Sequence, residues 1–286
     1  MTDLSLGRRS RRRRKILSVL QTLLATVFTC IVVFPLYWML ISSLKTEAEM
    51  TAAVPTLWPQ GFRWENYVAA FTKVPLMRYI GNTIITTIGY MFLQTFFGIL
   101  AAYSFSRGEY KGRDGLFLLV LGALMIPIQV TFIPVYRVVA KLHWVNTFPG
   151  IIVPNAVSAY FIFLLRQNFM SVDNSYIEAG QVDGMGHFRI IFQVLVPICR
   201  PVIITVCLIT FMNGWNSYFW PKVITTNQSH RVITLGIMEL KQSLEGFINN
   251  YNEIMAGAVI SIVPVAILFM IFQRFILTGL SKNAMK

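Results

Sequence analysis

Hydrophobic positions in this chain form long uncharged runs, and the charged residues fall in the segments between them and at the two ends of the chain. A helix needs about 20 residues to cross the hydrocarbon core of a bilayer, and six runs free of Asp, Glu, Lys and Arg are long enough. Apolar and polar residues do not alternate as they do in membrane β-barrels, so helices are favoured. The sequence therefore predicts an all-α membrane protein with six transmembrane helices. The six runs are Ile16–Leu44, Tyr79–Ser106, Gly115–Tyr136, Leu142–Leu165, Pro201–Pro221 and Ile254–Gln273.

The composition agrees with this pattern, since 55% of the 286 residues are hydrophobic and only 13% are charged. The net charge of +13 is concentrated just before the first run, in the segment RRSRRRRK. Such a basic flank holds an N-terminus in the cytoplasm, and more Lys and Arg residues fall on the inner loops than on the outer ones. We therefore expect both termini to be cytoplasmic and a membrane-lipid setting rather than a nucleic-acid partner.

The first run is about twice as long as the core of a typical signal peptide, and no A-x-A site follows it, so it is expected to be an uncleaved helix. The resulting organisation has five parts. They are a disordered basic cytoplasmic tail (1–15), the first transmembrane helix (16–44), an extracytoplasmic loop (45–78), a core domain (79–276) containing the polar loop 172–200, and a cytoplasmic C-terminal tail (277–286).

Prolines interrupt the third and fourth runs. Each one removes a backbone donor and kinks or ends a helix, as broken helices along a moving pathway do, although proline is also common in membrane helices generally. They are Pro127, Pro134, Pro149 and Pro154.

A weaker pattern follows the fifth run, where apolar residues recur at helical spacing. It predicts a short helix, either lying at the membrane interface or reaching towards a soluble partner. Its positions are Ile233, Ile237, Leu240 and Leu244.

The polar segment EAGQVDGMGHFRIIFQVLVP, residues 178–197, contains the most specific pattern. Asp173 can cap a short helix that contains Glu178. Ala179 and Gly180 are expected to form a small-residue face that another protein can approach closely.

The same segment predicts a turn and a second helix. Asp183-Gly184 is typical of a turn, because glycine accepts backbone angles that other residues avoid. Phe188, Ile191 and Leu195 then share one face of a following helix, and Pro197 closes the segment before the fifth run begins. We therefore expect a helix-turn-helix at the inner surface of the membrane.

These residues resemble the EAA loop of the membrane subunits of bacterial ABC importers. Glu178, Ala179, Gly184 and Pro197 fall on that pattern with its spacing intact, while Gly180 replaces an alanine. Val194 and Val196 stand where the pattern has Ile and Leu. The segments NGWNSYFWP and FQRFILTGLSKNAMK are similar to the carbohydrate-uptake branch, and to its second, maltose-type permease with six helices.

This resemblance implies the type I ABC importer permease fold and a set of partners. These are a second permease that completes a heterodimer, two ATPase subunits that carry ATP and Mg, and an extracytoplasmic solute-binding protein. The loop, with Asp183 in its turn, fits a cleft on the ATPase in that family, so Glu178 is expected to pair there with an Arg or Lys. The implied location is the bacterial inner membrane, and the implied cargo is a sugar or oligosaccharide.

The fifth run contains polar side chains that are costly in lipid and should face other helices or an aqueous path. Amides and aromatic rings suit sugars, but residues that join helices have the same composition, so both interpretations stay open. The candidates for a substrate path are Asn213, Trp215, Asn216 and Tyr218.

Catalytic motifs are absent from the sequence. No P-loop, no G-x-S-x-G element and no clustered metal ligands occur, which predicts a subunit without catalysis, cofactor or metal. An importer for glycerol phosphate or another polyol remains an alternative. An ion-coupled secondary transporter is a second one, although such transporters normally need an ionisable residue within a span.

Overall fold

The computed structural model describes residues 3–242 and 251–284, and every regular element within those ranges is helical. Fifteen α-helices follow one another, with a short 3₁₀ helix after α7 (Val153–Asn155) and a π-helix between α10 and α11 (Ile190–Leu195). The α-helices are α1 Asp3–Ser42, α2 Glu47–Thr51, α3 Glu65–Lys73, α4 Leu76–Arg107, α5 Arg113–Ala123, α6 Ile128–Lys141, α7 Phe148–Ile152, α8 Ala159–Met170, α9 Ser175–Val182, α10 His187–Arg189, α11 Val196–Ile198, α12 Arg200–Trp215, α13 Phe219–Ile224, α14 Ile233–Gln242 and α15 Tyr251–Ala284.

Within the described ranges, three helices are long and apolar enough to cross a membrane without interruption: Leu17–Ser42, Leu76–Arg107 and Tyr251–Gln273. Three further spans are possible only as bent pairs, which raises the number to as many as six. The pairs are α5 with α6, bent by 99°, α7 and its 3₁₀ turn with α8, bent by 47°, and the α10–α11 segment with α12, bent by 87°. The predicted all-helical class is confirmed, while half of the predicted single helices are broken.

Proline chemistry explains the position of these breaks. Pro127 lies immediately before α6 with extended backbone angles, Pro149 stands in the first turn of α7, and Pro154 lies in the 3₁₀ turn. A proline without an N–H fits the first turn of a helix, where no intrahelical acceptor is available. Pro134 is instead accommodated within α6.

Two boundaries differ from the sequence predictions. The helix α1 begins at Asp3, and its run of arginines, a residue with helical propensity, continues directly into the apolar span. The helix α4 begins at Leu76 after Pro75, and it therefore includes the end of the predicted outer loop. That loop also contains α2 and α3.

The chain divides into two compact units, of which the first comprises residues 1–73 and 240–260. Lys45 is 1% exposed there, and its Nζ lies 4.2 Å from the ring centroid of Trp38 while donating to the carbonyl of Thr56. Burial lowers the pKa of Lys45, and the neighbouring Glu49 opposes that effect. For Glu49, burial alone would raise the pKa, but hydrogen bonds from the backbone of Gln60 and from Thr46 hold it below the usual value. Hydrogen bonds to nearby backbone groups therefore hold both buried side chains just beyond the end of α1.

The second unit comprises residues 74–239 and 261–286 and has α4 at its centre. The helices α8 and α12 both pack along α4. Their shared apolar core also includes residues from the segment between α9 and α12, so that segment is attached to the membrane helices by packing. The core is formed by Ile99, Ala102, Phe161, Leu165, Phe169, Val172, Ile177, Ile190, Ile191, Leu195, Cys199 and Val206.

The short helix predicted after the fifth run is present as α14. Ile233 and Leu240 are buried and Ile237 is half-buried, which gives the helix one apolar face as the spacing indicated. Leu244 lies outside the described residues.

Candidate functional site: an exposed helical segment and an uncharged cavity

Local hydrogen bonds define both ends of α9. At its start, the backbone N–H of Ser175 donates to Asp173 Oδ1 at 2.9 Å, and this contact with Ser175 holds the pKa of Asp173 below its usual value. At its end, Gly184 has φ +73°, Gly184 N–H bonds to the carbonyl of Gln181, and Met185 N–H bonds to that of Gly180. This paired pattern is a Schellman motif, in which glycine adopts the left-handed conformation without strain. The predicted turn is present, whereas Asn174 and not Asp173 is at the N-cap position, and its side chain makes no capping bond.

The exposed side of α9 differs from the predicted one. Glu178 and Ala179 are exposed, but Gly180 is buried, and a Cβ at Gly180 would lie 3.5 Å from both Ile190 and Met185. The two small residues therefore do not form a common face, because adjacent positions on a helix point about 100° apart. Gly180 packs within the segment. Of these two small residues, only Ala179 is available to another protein.

The prediction that Phe188, Ile191 and Leu195 share a face is also wrong. Ile191 and Leu195 are buried in the core, whereas Phe188 is 66% exposed. A π-helix from Ile190 to Leu195 changes the residue spacing in this stretch, which no α-helical period anticipates.

Proline residues accompany the 87° bend from this segment into α12. Pro197 lies in the first turn of α11 and is exposed, and Pro201 lies in the first turn of α12. The bend turns the chain from α11 towards the membrane helix, so the segment between α9 and α11 runs across the direction of α12.

We call the exposed side chains of this segment together the α9–α10 face. It combines two carboxylates with large apolar side chains, of which Val182 is 88% exposed. Exposed apolar groups rimmed by charge are typical of protein interaction sites. The α9–α10 face consists of Tyr176, Glu178, Ala179, Val182, Asp183 and Phe188.

Two arginines that no sequence pattern singled out join the helix ends beneath this face. Arg107, at the end of α4, donates to the carbonyls of Phe169 and Val172 and to Oδ1 of Asn174. Arg166, in α8, donates to the carbonyl of Phe105 at 3.0 Å and lies 3.5 Å from Asp114. Each arginine therefore satisfies carbonyls at the end of the other's helix, where helices leave such groups unpaired.

A cavity of about 750 Å³ lies between α4, α6, the 3₁₀ turn and the end of α12. Its size falls in the range of small-molecule sites. Amides, hydroxyls and aromatic rings line it, and none of the described lining residues is Asp, Glu, Lys or Arg. The polar and aromatic lining residues are Tyr90, Gln94, Gln129, Thr131, Phe132, Asn155, Ser158, Asn213, Ser217, Tyr218, Phe219 and Trp220.

Two of the four candidates for a substrate path line this cavity, Asn213 and Tyr218. Trp215 is 2% exposed, and its Nε1 donates to the carbonyl of Ser261 in α15 at 3.0 Å, which is a packing role. Asn216 ends α12, and its side chain donates to the carbonyl of Met212 at 2.9 Å. Neighbouring residues at the end of α12 therefore differ in role: Asn213 and Tyr218 line the cavity, whereas Trp215 and Asn216 bond to backbone carbonyls.

Gln94 is a cavity residue that the sequence analysis missed. Its amide donates to the carbonyl of Asn155, and its carbonyl accepts from Thr210 at 3.2 Å, so it joins three segments of the chain. An amide near the middle of an apolar span was the available signal, since such a group is expected to find partners in the protein interior.

Known proteins resemble this chain over most of its length. The family model described as "Binding-protein-dependent transport system inner membrane component" matches residues 94–282. The chain belongs to this family. This permease is therefore a multi-pass inner-membrane component of a binding-protein-dependent transporter, in a family of subunits that are not enzymes. Family membership also decides against the ion-coupled secondary transporter.

Relatives resemble the permease over nearly its full length. The arabinooligosaccharides transport system permease protein AraQ of Halalkalibacterium halodurans is 30% identical, covering 96% of this chain and 99% of the relative. The sn-glycerol-3-phosphate transport system permease protein UgpE of Agrobacterium fabrum is 27% identical, with coverages of 93% and 97%.

A solved bacterial ABC transporter involved in the import of the acidic polysaccharide alginate has the same fold. Its TM-score is 0.82 at 22% identity, and the match covers 92% of the permease and 97% of that chain. The predicted type I ABC importer permease fold is confirmed by this match.

Proposed function

We propose that this permease forms half of the translocation path of an ATP-driven importer for an uncharged oligosaccharide, and that its α9–α10 face docks on a cytoplasmic ATPase. Both termini are then cytoplasmic. A second permease completes the heterodimer, two ATPase subunits carry ATP and Mg, and an extracytoplasmic binding protein delivers the substrate.

The exposure of the α9–α10 face on a packed base is the observation that carries the docking role. Ile177, Ile190 and Leu195 fix the segment to the core, while Glu178, Val182 and Phe188 remain exposed. Exposed aromatic and aliphatic side chains beside a carboxylate match protein interfaces, in which an apolar core rich in aromatic residues is bordered by a polar rim. Glu178 pairs with an Arg or Lys of the ATPase, because charge-assisted hydrogen bonds are strong and directional.

Other residues of the segment have supporting roles in the proposal. Ala179 allows close approach, Gly184 with Asp183 forms the turn, Gly180 packs beneath, and Pro197 ends the element before the bend. The segment moves as one body when the ATPases close. This movement changes the side of the membrane to which the cavity is open.

The lining of the cavity supports an uncharged cargo. Sugar hydroxyls need amide and hydroxyl partners, and the apolar faces of sugar rings pack on aromatic side chains such as Tyr218. A phosphate or carboxylate group would lose its hydration here without a cation to replace it. Asn213 and Tyr218 are thus the candidates for direct contact, whereas Trp215 and Asn216 support the fold.

The relatives leave a second candidate substrate, since the UgpE proteins are named for sn-glycerol-3-phosphate transport. Uptake assays with matched radiolabelled arabino-, chito- and malto-oligosaccharides beside glycerol 3-phosphate distinguish the two. We expect competition among neutral glycans only. Uptake of glycerol 3-phosphate in preference to every glycan would overturn the uncharged substrate class.

The docking proposal is tested by purifying the permease in mild detergent after expression with its native neighbours, followed by mass spectrometry of the bound proteins. Recovery of an ATPase and a second permease is expected. A stable species that imports substrate without any ATPase would overturn the proposal.

A matched pair of substitutions at the end of α12 tests whether the cavity binds the substrate. Asn213→Ala removes an amide from the cavity, and the loss of one hydrogen bond to a hydroxyl should raise the KM for uptake about threefold to tenfold. Asn216→Ala removes an amide that is exposed outside the cavity lining, and its KM should stay at the wild-type value. Equal effects of the two changes would contradict a substrate path at Asn213.

A further inference from the structure

The last turn of α4 contacts the α9–α10 segment at two separate points. Arg107 donates from Nη1 to Oδ1 of Asn174, immediately before α9. The hydroxyl of Tyr103 lies 2.8 Å from Nδ1 of His187, the first residue of α10. Tyr103 and Arg107 are four residues apart, so they lie on the same side of α4 one turn from each other. One helix end therefore contacts both helices of the segment.

The guanidinium of Arg107 also fixes the chain that leads into α9. Its Nη2 donates to the carbonyl of Phe169 at 2.6 Å and to the carbonyl of Val172. A planar guanidinium presents several donors in a fixed geometry, which the compact ammonium of lysine cannot reproduce. The end of α8, the connection after it and the start of α9 are consequently held by one side chain of α4.

The helix α4 connects these contacts with the cavity. It continues as one helix from Leu76 to Arg107, and its residues Tyr90 and Gln94 line the cavity. At 1.5 Å per residue, the distance along the axis from Arg107 to Gln94 is about 20 Å. The helix α12 is also joined to the segment, through the 87° bend and through apolar packing of Val206 in the shared core.

We propose that Arg107 and Tyr103 are positioning residues that make α4 follow the α9–α10 segment, so that movement of the docking surface becomes movement of the cavity wall. This inference rests on the proposed docking of the α9–α10 face on an ATPase. The movement is transmitted by two polar contacts on one helix, α4, and these contacts are separate from the surface that docks.

The apolar core is the competing route of transmission, because Ile177 and Ile190 also pack with residues of α4. A decisive test must remove the polar contacts and the apolar contacts separately. Ile177→Val loosens the core without touching Arg107 or Tyr103. Arg189→Ala removes an exposed arginine at the end of α10 and controls for loss of charge near the docking surface.

The experiment uses the complete importer, with partner permease, ATPases and binding protein, reconstituted in liposomes with its transported glycan. The rates of import and of ATP hydrolysis are measured together, and their ratio gives the coupling. We expect Arg107→Ala to lower this ratio about tenfold while hydrolysis stays within about twofold of wild type, as for loss of a typical coupling between sites. Tyr103→Phe, which removes only the hydroxyl, should lower it about threefold, and neither Ile177→Val nor Arg189→Ala should change it.

Asn174 provides a rescue test that leaves the membrane helices intact. Asn174→Ala removes the acceptor for Arg107 at an exposed position, and the ratio should fall. Asn174→Asp keeps an acceptor and adds charge, so the ratio should remain at the wild-type value or above. If Arg107→Ala fails to assemble, the Asn174 pair and Tyr103→Phe decide the question.

Three results would overturn the inference. They are import and hydrolysis falling in proportion in the Arg107 and Tyr103 variants, an equal loss of coupling in Ile177→Val, and equal ratios for Asn174→Ala and Asn174→Asp. A wild-type complex that binds no ATPase is a different outcome, because it would remove the proposed docking itself.

Discussion

The α9–α10 face and the cavity are built in opposite ways. The face comes from one continuous stretch of chain, with Asp173 accepting a backbone hydrogen bond at the start of α9, a left-handed glycine at 184 and exposed carboxylates. The cavity is assembled from four segments far apart in sequence, and no charged side chain is found among its described lining residues. A local surface can be specified by spacing alone, whereas a cavity depends on how distant helices pack. Substitutions should therefore affect the two regions through different measurable quantities.

Charge reversal on the α9–α10 face should have the largest effect. Glu178→Lys places a cation against a basic partner, and like charges in contact cost several kcal/mol, so ATP-dependent uptake should fall by about 100-fold or more. The amount of permease in the membrane should not change. Glu109→Lys is the matched control, since Glu109 is an exposed carboxylate in the α4–α5 connection. Full uptake by the Glu178 variant would remove the coupling role of that residue.

Truncation of the exposed aromatic ring on the same face should have the next largest effect. Phe188→Ala removes a side chain of the kind that anchors interfaces, and we expect about 2 kcal/mol of lost binding, or about 30-fold weaker affinity for the ATPase. Affinity of the detergent-purified permease for the ATPase measures this. Leu118→Ala removes an exposed apolar side chain from α5 and should leave the affinity unchanged. Equal affinities for wild type and the Phe188 variant would place the docking surface elsewhere.

Substitutions at two glycines, which differ in how closely they are packed, should change stability in opposite directions. A Cβ at Gly214 would lie 3.2 Å from the backbone Cα of Thr87, so Gly214→Ala should destabilise the permease by about 1–3 kcal/mol as α4 and α12 separate. Gly180→Ala meets only ordinary contacts and should stabilise α9 by about 0.5–1 kcal/mol. Thermal unfolding in detergent, with both variants measured under identical conditions, checks the opposite signs. A stabilised Gly214 variant would contradict the close approach of the two helices.

The smallest effect is expected at Trp215, and it should be confined to stability. Trp215→Phe loses the hydrogen bond to Ser261 and should reduce the free energy of unfolding by about 1 kcal/mol. Substrate preference in the uptake panel should stay the same, in contrast to Asn213→Ala. A changed preference would return Trp215 to the substrate path.

Sequence patterns predicted the parts of the molecule that depend on local chemistry. The uncharged runs gave the helical class, the prolines marked the breaks near residues 127 and 154, and Asp183-Gly184 predicted the turn. The missed features are all produced by tertiary structure. The π-helix at Ile190 moves Phe188 to the exposed side, and packing against Ile190 buries Gly180. The contacts of Arg107 join residues more than 60 positions apart, which spacing along the chain does not reveal.

The role of the cavity illustrates the same limit. Asn213 and Trp215 are two residues apart in one polar stretch, yet one lines the cavity and the other is buried against α15. Composition alone does not separate these environments. Their side-chain directions follow from the helical geometry of α12 only once its neighbours are known.

The first unit is discontinuous in sequence, and this sets an order for its biosynthesis. The side chain of Asn66 donates to the carbonyls of Ser43 and Lys45, and its own oxygen accepts from Asn252 at 2.9 Å. Lys73 pairs with Glu253 at 2.6 Å in the same unit. Residues 252 and 253 are synthesised almost 180 positions after Lys73. The growing chain must therefore hold an incomplete polar cluster at the end of α1 until its final helix is made, and a nascent chain released before residue 251 cannot close it.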